Sequence, residues 1–322
     1  MKKLFSLLLI LLAFSCNSSD DETTPISQNP VDVYVAGQKN GQPCYWKNDQ
    51  LVLLDNGGIS GVTATKIIVL NNDVYVFGKT EPTTIQFSSS LFWKNGLLTH
   101  LNTTLSSENE YAVLISDMDV VGTDVYFVGY TNPALINLFD PKLATWKNGV
   151  KTVVSTNPEG WQDAFIKVKN NTVYITSPTE NGYYVNNTFY EKPDAVLNGF
   201  TENSNDVYVY GGQLLGGFYQ NIMSNVQTNV GFPLDGSVYK MCFDNNNVYY
   251  SDGVDIYTNG TLTYSVPMAT NNLFDFTVKD NNLYLIEGHD VNNSPKVVKI
   301  NNVIAMTSGV DEDYTSLFIV QN

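Results

Sequence analysis

Apolar residues along the chain fall in short runs of alternating or continuous character, with no sustained helical stripe. A small polar residue, then Val or Leu, then Tyr occurs seven times: Asp32-Val33-Tyr34, Asp73-Val74-Tyr75, Asp124-Val125-Tyr126, Thr172-Val173-Tyr174, Asp206-Val207-Tyr208, Asn247-Val248-Tyr249 and Asn282-Leu283-Tyr284. The Tyr recurs every 34 to 51 residues, about 42 on average, which is the size of a four-stranded propeller blade. Downstream lies a second signature, Trp46-Lys47-Asn48-Asp49, Trp93-Lys94-Asn95-Gly96 and Trp146-Lys147-Asn148-Gly149, with weaker copies at Tyr184-Val185-Asn186-Asn187 and Tyr257-Thr258-Asn259-Gly260. Asn-Gly between β-rich runs marks a two-residue hairpin, because both turn residues need positive φ. It therefore joins the third strand of each unit to the fourth. Upstream of the Tyr signature, runs such as Ile67-Ile68-Val69-Leu70 before Asn71-Asn72 supply the first strand.

The ends of the array decide its topology. No first strand precedes Val33, yet Ser316 to Val320 reads as a first strand and stops where its polar turn should begin. Pairing the last strand with the first three leaves no open sheet edge inside the ring. The expectation is an all-β, seven-bladed β-propeller of four antiparallel strands per blade, closed by the C-terminal strand joining the N-terminal blade. Blade faces pack on their neighbours, so Tyr34, Tyr75, Tyr126, Trp46, Trp93 and Trp146 are expected in the core. Cys44 then falls in blade 1 and Cys242 in blade 6, too far apart for a disulfide, so both should be buried free thiols.

The amino terminus follows a different pattern. Lys2 and Lys3 precede the apolar run Leu4 to Phe14, too short to span a bilayer and right for a secretory signal peptide. Ala13-Phe14-Ser15-Cys16 resembles the lipobox of bacterial lipoproteins, which implies that Cys16 becomes the lipidated first residue; simple secretion with an unmodified Cys16 is the alternative. The polar stretch to Pro30 reads as a tether. The division expected is a signal peptide over 1–15, a lipidated Cys and tether over 16–30, and the propeller over 31–322. Within the tether, Ser19-Asp20-Asp21-Glu22 looks like the surface-export signal of Bacteroidota lipoproteins, and an ordinary solvated linker explains the same residues.

Val33-Tyr34-Val35-Ala36-Gly37 and Val74-Tyr75-Val76-Phe77-Gly78, each followed by the Trp-Lys-Asn motif, resemble the tandem repeats of Bacteroidota outer-membrane β-propeller lipoproteins. The resemblance covers nearly all of the mature chain and implies a lipid-anchored, surface-exposed outer-membrane protein. It supplies little chemistry.

Charge narrows the partners. The 17 basic residues are all Lys against 32 acidic ones, a formal net charge of −15. Without Arg forks, nucleic-acid binding and sialidase-like sites are excluded, and the membrane is reached by the lipid anchor only. No cofactor is expected, and the protein should be a monomer.

Candidate binding residues lie where connections are long. Turns between first and second and between third and fourth strands share one rim and are short; length variation is expected only on the other. There Lys79 to Leu91, Thr103 to Glu110, Tyr130 to Leu143 and Ser155 to Asp163 form a crest containing Ile85, Phe87, Leu135, Ile136, Leu138, Phe139 and Trp161. These groups either plug the blade tops or form a patch for a protein or glycan ligand. Trp161, Phe139, Asp140, Glu159 and Phe87 are the ligand-binding candidates.

Catalysis is the weaker reading. No nucleophile elbow, metalloprotease helix or phosphate-binding loop occurs, and His100 and His289 fall in different blades, each expected as a solvent-facing residue at a strand end. First strands do carry Asp117, Asp119 and Asp275 with Lys66, Lys167 and Lys240, which either serve a carbohydrate-active enzyme around the channel or solvate it. Asp311-Glu312-Asp313 reads as a solvated loop before the closing strand, and no metal site is expected.

Overall fold

In the computed structural model the residues described are 31–81, 88–133, 140–156, 158, 162–214, 216–231, 236–267, 271–289 and 295–322. The chain divides into Asp32–Val320 and a second unit, Met1–Val31 with Gln321–Asn322, of which only Val31, Gln321 and Asn322 are described. The described residues form seven four-stranded antiparallel sheets, the blades of a propeller. Six blades use consecutive strands, and in blade 1 the last strand, Glu312–Gln321, takes the first place, at the channel, ahead of Val31–Lys39, Gln42–Lys47 and Gln50–Leu53. The ring thus closes by pairing the end of the chain with its beginning, as the repeat pattern predicts.

The repeat motif builds a clamp at one rim of the blade. Its Asn adopts a left-handed backbone at positions 48, 95 and 148. The Asn side-chain oxygen accepts the N–H of Val33, Val74 or Val125 at 2.8–2.9 Å, tying the third-to-fourth turn to the start of the second strand. The motif Lys pairs with the motif Asp: Lys47 with Asp32 at 2.8 Å, Lys94 with Asp73 at 3.0 Å and Lys147 with Asp124 at 2.7 Å. Its ammonium also lies over the ring of Tyr34, Tyr75 or Tyr126, 5.1–5.4 Å from the centroid. Asn186, Asn259 and Asn301 make the same backbone bond in blades 4, 6 and 7, without the ion pair.

Above the clamp, the Trp and Gly of the motif pack one blade on the next. Trp93 and Trp146 are fully buried, and their indole N–H groups donate to the carbonyls of Asp55 (2.8 Å) and Leu105 (3.2 Å) in the preceding connections. Trp46, Tyr34, Tyr75 and Tyr126 are buried as well. Gly78 is required by close approach: a Cβ there would stand 2.7 Å from the Thr63 carbonyl oxygen and 3.0 Å from the Trp93 ring. Bulges in the first strand, such as the register shift between Ala64 and Lys66, bring that backbone close.

Three features depart from the sequence reading. Asp311-Glu312-Asp313 is not a solvated loop, since the closing strand already begins at Glu312. Glu312 pairs with Lys39 at 2.7 Å, Asp313 pairs with Lys296 at 2.6 Å, and the Asp311 carbonyl accepts the Asn40 N–H at 2.8 Å. These carboxylates latch the ring, because the extra turn of sheet puts each beside a Lys from the far end of the chain or from blade 7. Turn length also varies on the short-turn rim: in blade 5 the third-to-fourth connection runs over 222–226. Cys44 and Cys242 are free thiols in the strands expected, but Cys242 is only half-buried because the first strand of blade 6 faces the channel. Burial pushes both thiols up to about 12.

Candidate functional site

Much of the crest expected from sequence lies outside the described residues. Trp161, Phe139, Glu159 and Phe87 lie outside the described residues, as do Ile85, Leu135, Ile136, Leu138 and Cys16. Asp140 is described and exposed. The one-turn helix Leu101–Thr104 and the Ser107–Glu110 bridge order another part of the expected crest. Leu101 and Leu105 of that segment are buried, packed on the core between blades 2 and 3. His100 and His289 each end a strand, as expected, but both are half-buried and not solvent-facing.

What the described residues do assemble is the central channel. The first strands of all seven blades line a cavity of about 910 Å³. Their charged side chains, isolated in sequence among apolar neighbours, meet across blade boundaries. Lys66 of blade 2 pairs with Asp117 of blade 3 at 2.8 Å, and Lys240 of blade 6 with Asp275 of blade 7 at 2.8 Å. Lys167 of blade 4 lies 3.7 Å from Asp119 of blade 3 and 2.7 Å from Glu202 of blade 5. At the mouth Lys79 pairs with Asp163 at 2.8 Å. Glu202 carries little sequence signal beyond being the lone carboxylate at the end of its first strand.

The carboxylates also receive backbone N–H groups of the adjacent blade. Asp117 accepts from Ile166 (3.1 Å), Asp119 from Val168 (2.7 Å) and Asp275 from Leu317 (2.8 Å). Asp244 accepts from Asp280 and Asn281 in the same way. Neighbouring first strands run parallel without a sheet ladder between them, so these amides would otherwise face a low-dielectric seam without partners. Every oxygen of Asp117, Asp119 and Asp275 already has a donor, since Lys66, Val120, Lys240 and Phe276 serve the remaining ones. Burial disfavours the Lys167 and Lys240 cations, but the facing carboxylates outweigh it and hold both above the ordinary lysine range.

The channel is electroneutral in a strongly anionic protein. Among the described residues, Lys66, Lys79, Lys167, Lys240 and Lys279 line it with Asp117, Asp119, Asp163, Glu202 and Asp275. No three His, Cys, Asp or Glu side chains converge among the described residues in a way that would hold a metal ion. The wall offers paired donors and acceptors.

No protein-family model matches the chain, and no curated protein matches its sequence. Solved structures with the same fold include the acylaminoacyl peptidase of Pyrococcus horikoshii, at 8% identity and a TM-score of 0.53 over 88% of this chain. This chain spans about half, 51%, of that peptidase. The propeller domain of the Trilobed protease from Pyrococcus furiosus, described as having an open velcro topology, matches over 89% of this chain and 98% of its own length, at 9% identity and a TM-score of 0.50. The extracellular domain of a B. thetaiotaomicron protein described as a one-component system matches over 79% of this chain and 37% of that chain, at 14% identity and a TM-score of 0.50. At these identities the likeness concerns the fold alone.

Proposed function

We propose that the chain is a lipid-anchored extracytoplasmic propeller, exposed at the outer membrane as a monomer, that serves as a non-catalytic scaffold for a protein or glycan ligand. One observation carries the choice of scaffold over enzyme: the first-strand carboxylates that a glycosidase would need are occupied by lysines and by backbone N–H groups of the next blade. A retaining or inverting pair needs one carboxyl free to protonate a leaving group and another free to attack or to activate water. Asp117 and Asp275 hold the blades together instead. The signal-like run Leu4 to Phe14 and the lipobox-like Ala13 to Cys16 support the anchor. No described helix is long and apolar enough to cross a membrane.

The test is a panel of polysaccharides and envelope proteins presented to the full mature chain. Binding without turnover, weakened by Trp161→Ala at an unchanged melting temperature, is the expected result for a crest that binds. Turnover abolished by Asp117→Asn or Asp275→Asn overturns the reading. Labelled fatty acid should enter the wild-type chain in its native host and not Cys16→Ser.

A further inference from the structure

Beside the Lys240–Asp275 seam pair, three further residues of blades 5 and 6 stand at the channel wall and take no part in the carboxylate pairs between blades: Asn198, Tyr210 and Tyr239. Tyr210 is 6% exposed, yet its hydroxyl makes no hydrogen bond among the described residues, and the residue lines the cavity. It gets there by crossing Gly199 of the paired first strand: a Cβ at Gly199 would stand 2.7 Å from Tyr210 Oη. Gly199 has φ +149°, a conformation that L side chains rarely adopt, so the gap is built into the backbone. Burial raises the phenol to about 12, with Lys240 and Asp275 among its charged neighbours, so it is protonated at neutral pH. The hydroxyl is therefore a donor and acceptor left open at the wall of the cavity, where a polar ligand can engage it.

The surroundings specify that ligand's chemistry. Asn198 spends its amide N–H groups on Ser237 Oγ (2.7 Å) and the Val238 carbonyl (2.8 Å), which leaves its carbonyl oxygen as an acceptor at the same wall. The Lys240 ammonium, held at 2.8 Å by Asp275, keeps further N–H donors beyond that bond. Tyr239 is 60% exposed, lies along Gly253 and also lines the cavity, so part of the ring is open for stacking. Lys66, Lys79, Lys167 and Lys240 each have a carboxylate at 2.7–2.8 Å, so the charges beside Tyr210 are paired; Lys279, four residues along the strand from Asp275, is the channel lysine without an ion pair among the described residues. Neighbouring hydroxyls of a sugar each donate and accept, and its C–H face stacks on an aromatic ring.

We infer that Asn198, Tyr210, Tyr239, Lys240 and Asp275 form a subsite in the channel wall for a neutral saccharide. The inference rests on the scaffold reading and moves the glycan contact from the crest to the channel. Calorimetric titration of the full mature chain with neutral hexoses and their α- and β-linked disaccharides tests it. At least one should bind, with little dependence on salt. Tyr210→Phe keeps the ring and removes only the hydroxyl, so it should weaken binding about three- to tenfold. Tyr239→Ala should weaken it about tenfold or more. The melting temperature of Tyr210→Phe separates lost binding from lost folding. A saccharide whose binding responds only to Trp161→Ala overturns the channel subsite while keeping the scaffold. Binding of ionic ligands alone, or of none of the neutral sugars, also overturns it, and turnover of a bound sugar overturns the scaffold reading itself.

Discussion

Gly78 shows how much a single residue type decides. It stands in the second strand where the bulged first strand and the Trp93 ring both press on it, so its side chain has no space. Gly37 and Gly129 occupy the equivalent place against the carbonyls of Asp313 and Leu114. Gly78→Ala must displace backbone, not a flexible side chain, and is expected to cost about 3 kcal/mol, read as a lowered urea midpoint. An unchanged midpoint would mean that the bulge is not held as described. The Tyr, Trp and Gly of the motif were legible in sequence as packing residues, because burial on both faces of a blade leaves a repeating trace. The roles of the motif Asp and Lys were not, since an ion pair over a Tyr ring needs the hairpin already formed.

At the scale of the element, first strands are held to one another by side chains and not by a ladder. Asp275 accepts the Leu317 N–H and pairs with Lys240, so it links blades 6, 7 and 1. Asp275→Ala leaves a buried amide and a channel lysine without partners, and an expected loss of about 2–4 kcal/mol should appear in chemical denaturation. Asp275→Asn keeps an acceptor oxygen and should lose distinctly less. Equal losses would place the whole effect in the charge pair. The sequence marked these carboxylates as odd within apolar strands, but their partners in other blades lie 35 to 51 residues away, one blade before or after. Local pattern carries no information about which neighbour a seam residue meets.

For the molecule as a whole, the ring depends on its latch. A chain ending at Gly309 lacks the first strand of blade 1 and leaves the edge of Val31–Lys39 open, so its melting temperature should fall by more than about 10 °C. Retained heat resistance would contradict the closure. The latch is also pH-dependent. Burial alone would raise the Glu312 carboxyl, but the hydrogen bonds from Lys39 and the Gly309 N–H outweigh it and hold its pKa below the ordinary 4.5. A depressed carboxyl contributes stability fully above its unfolded value and loses it as pH falls through the folded one. Wild-type melting temperature should therefore drop more steeply below about pH 4.5 than that of Glu312→Gln.

By itself the sequence determined the number of blades, their hairpins, the packing aromatics and the pairing of the chain's two ends, because each follows from periodic burial and turn chemistry repeated along the chain. Only the tertiary structure decided that Glu312 and Asp313 are latch groups and that the channel is electroneutral. It alone put the Tyr210 hydroxyl at the channel wall across Gly199. Those outcomes depend on side chains from different blades meeting at about 3 Å, and closing the ring is what sets those distances.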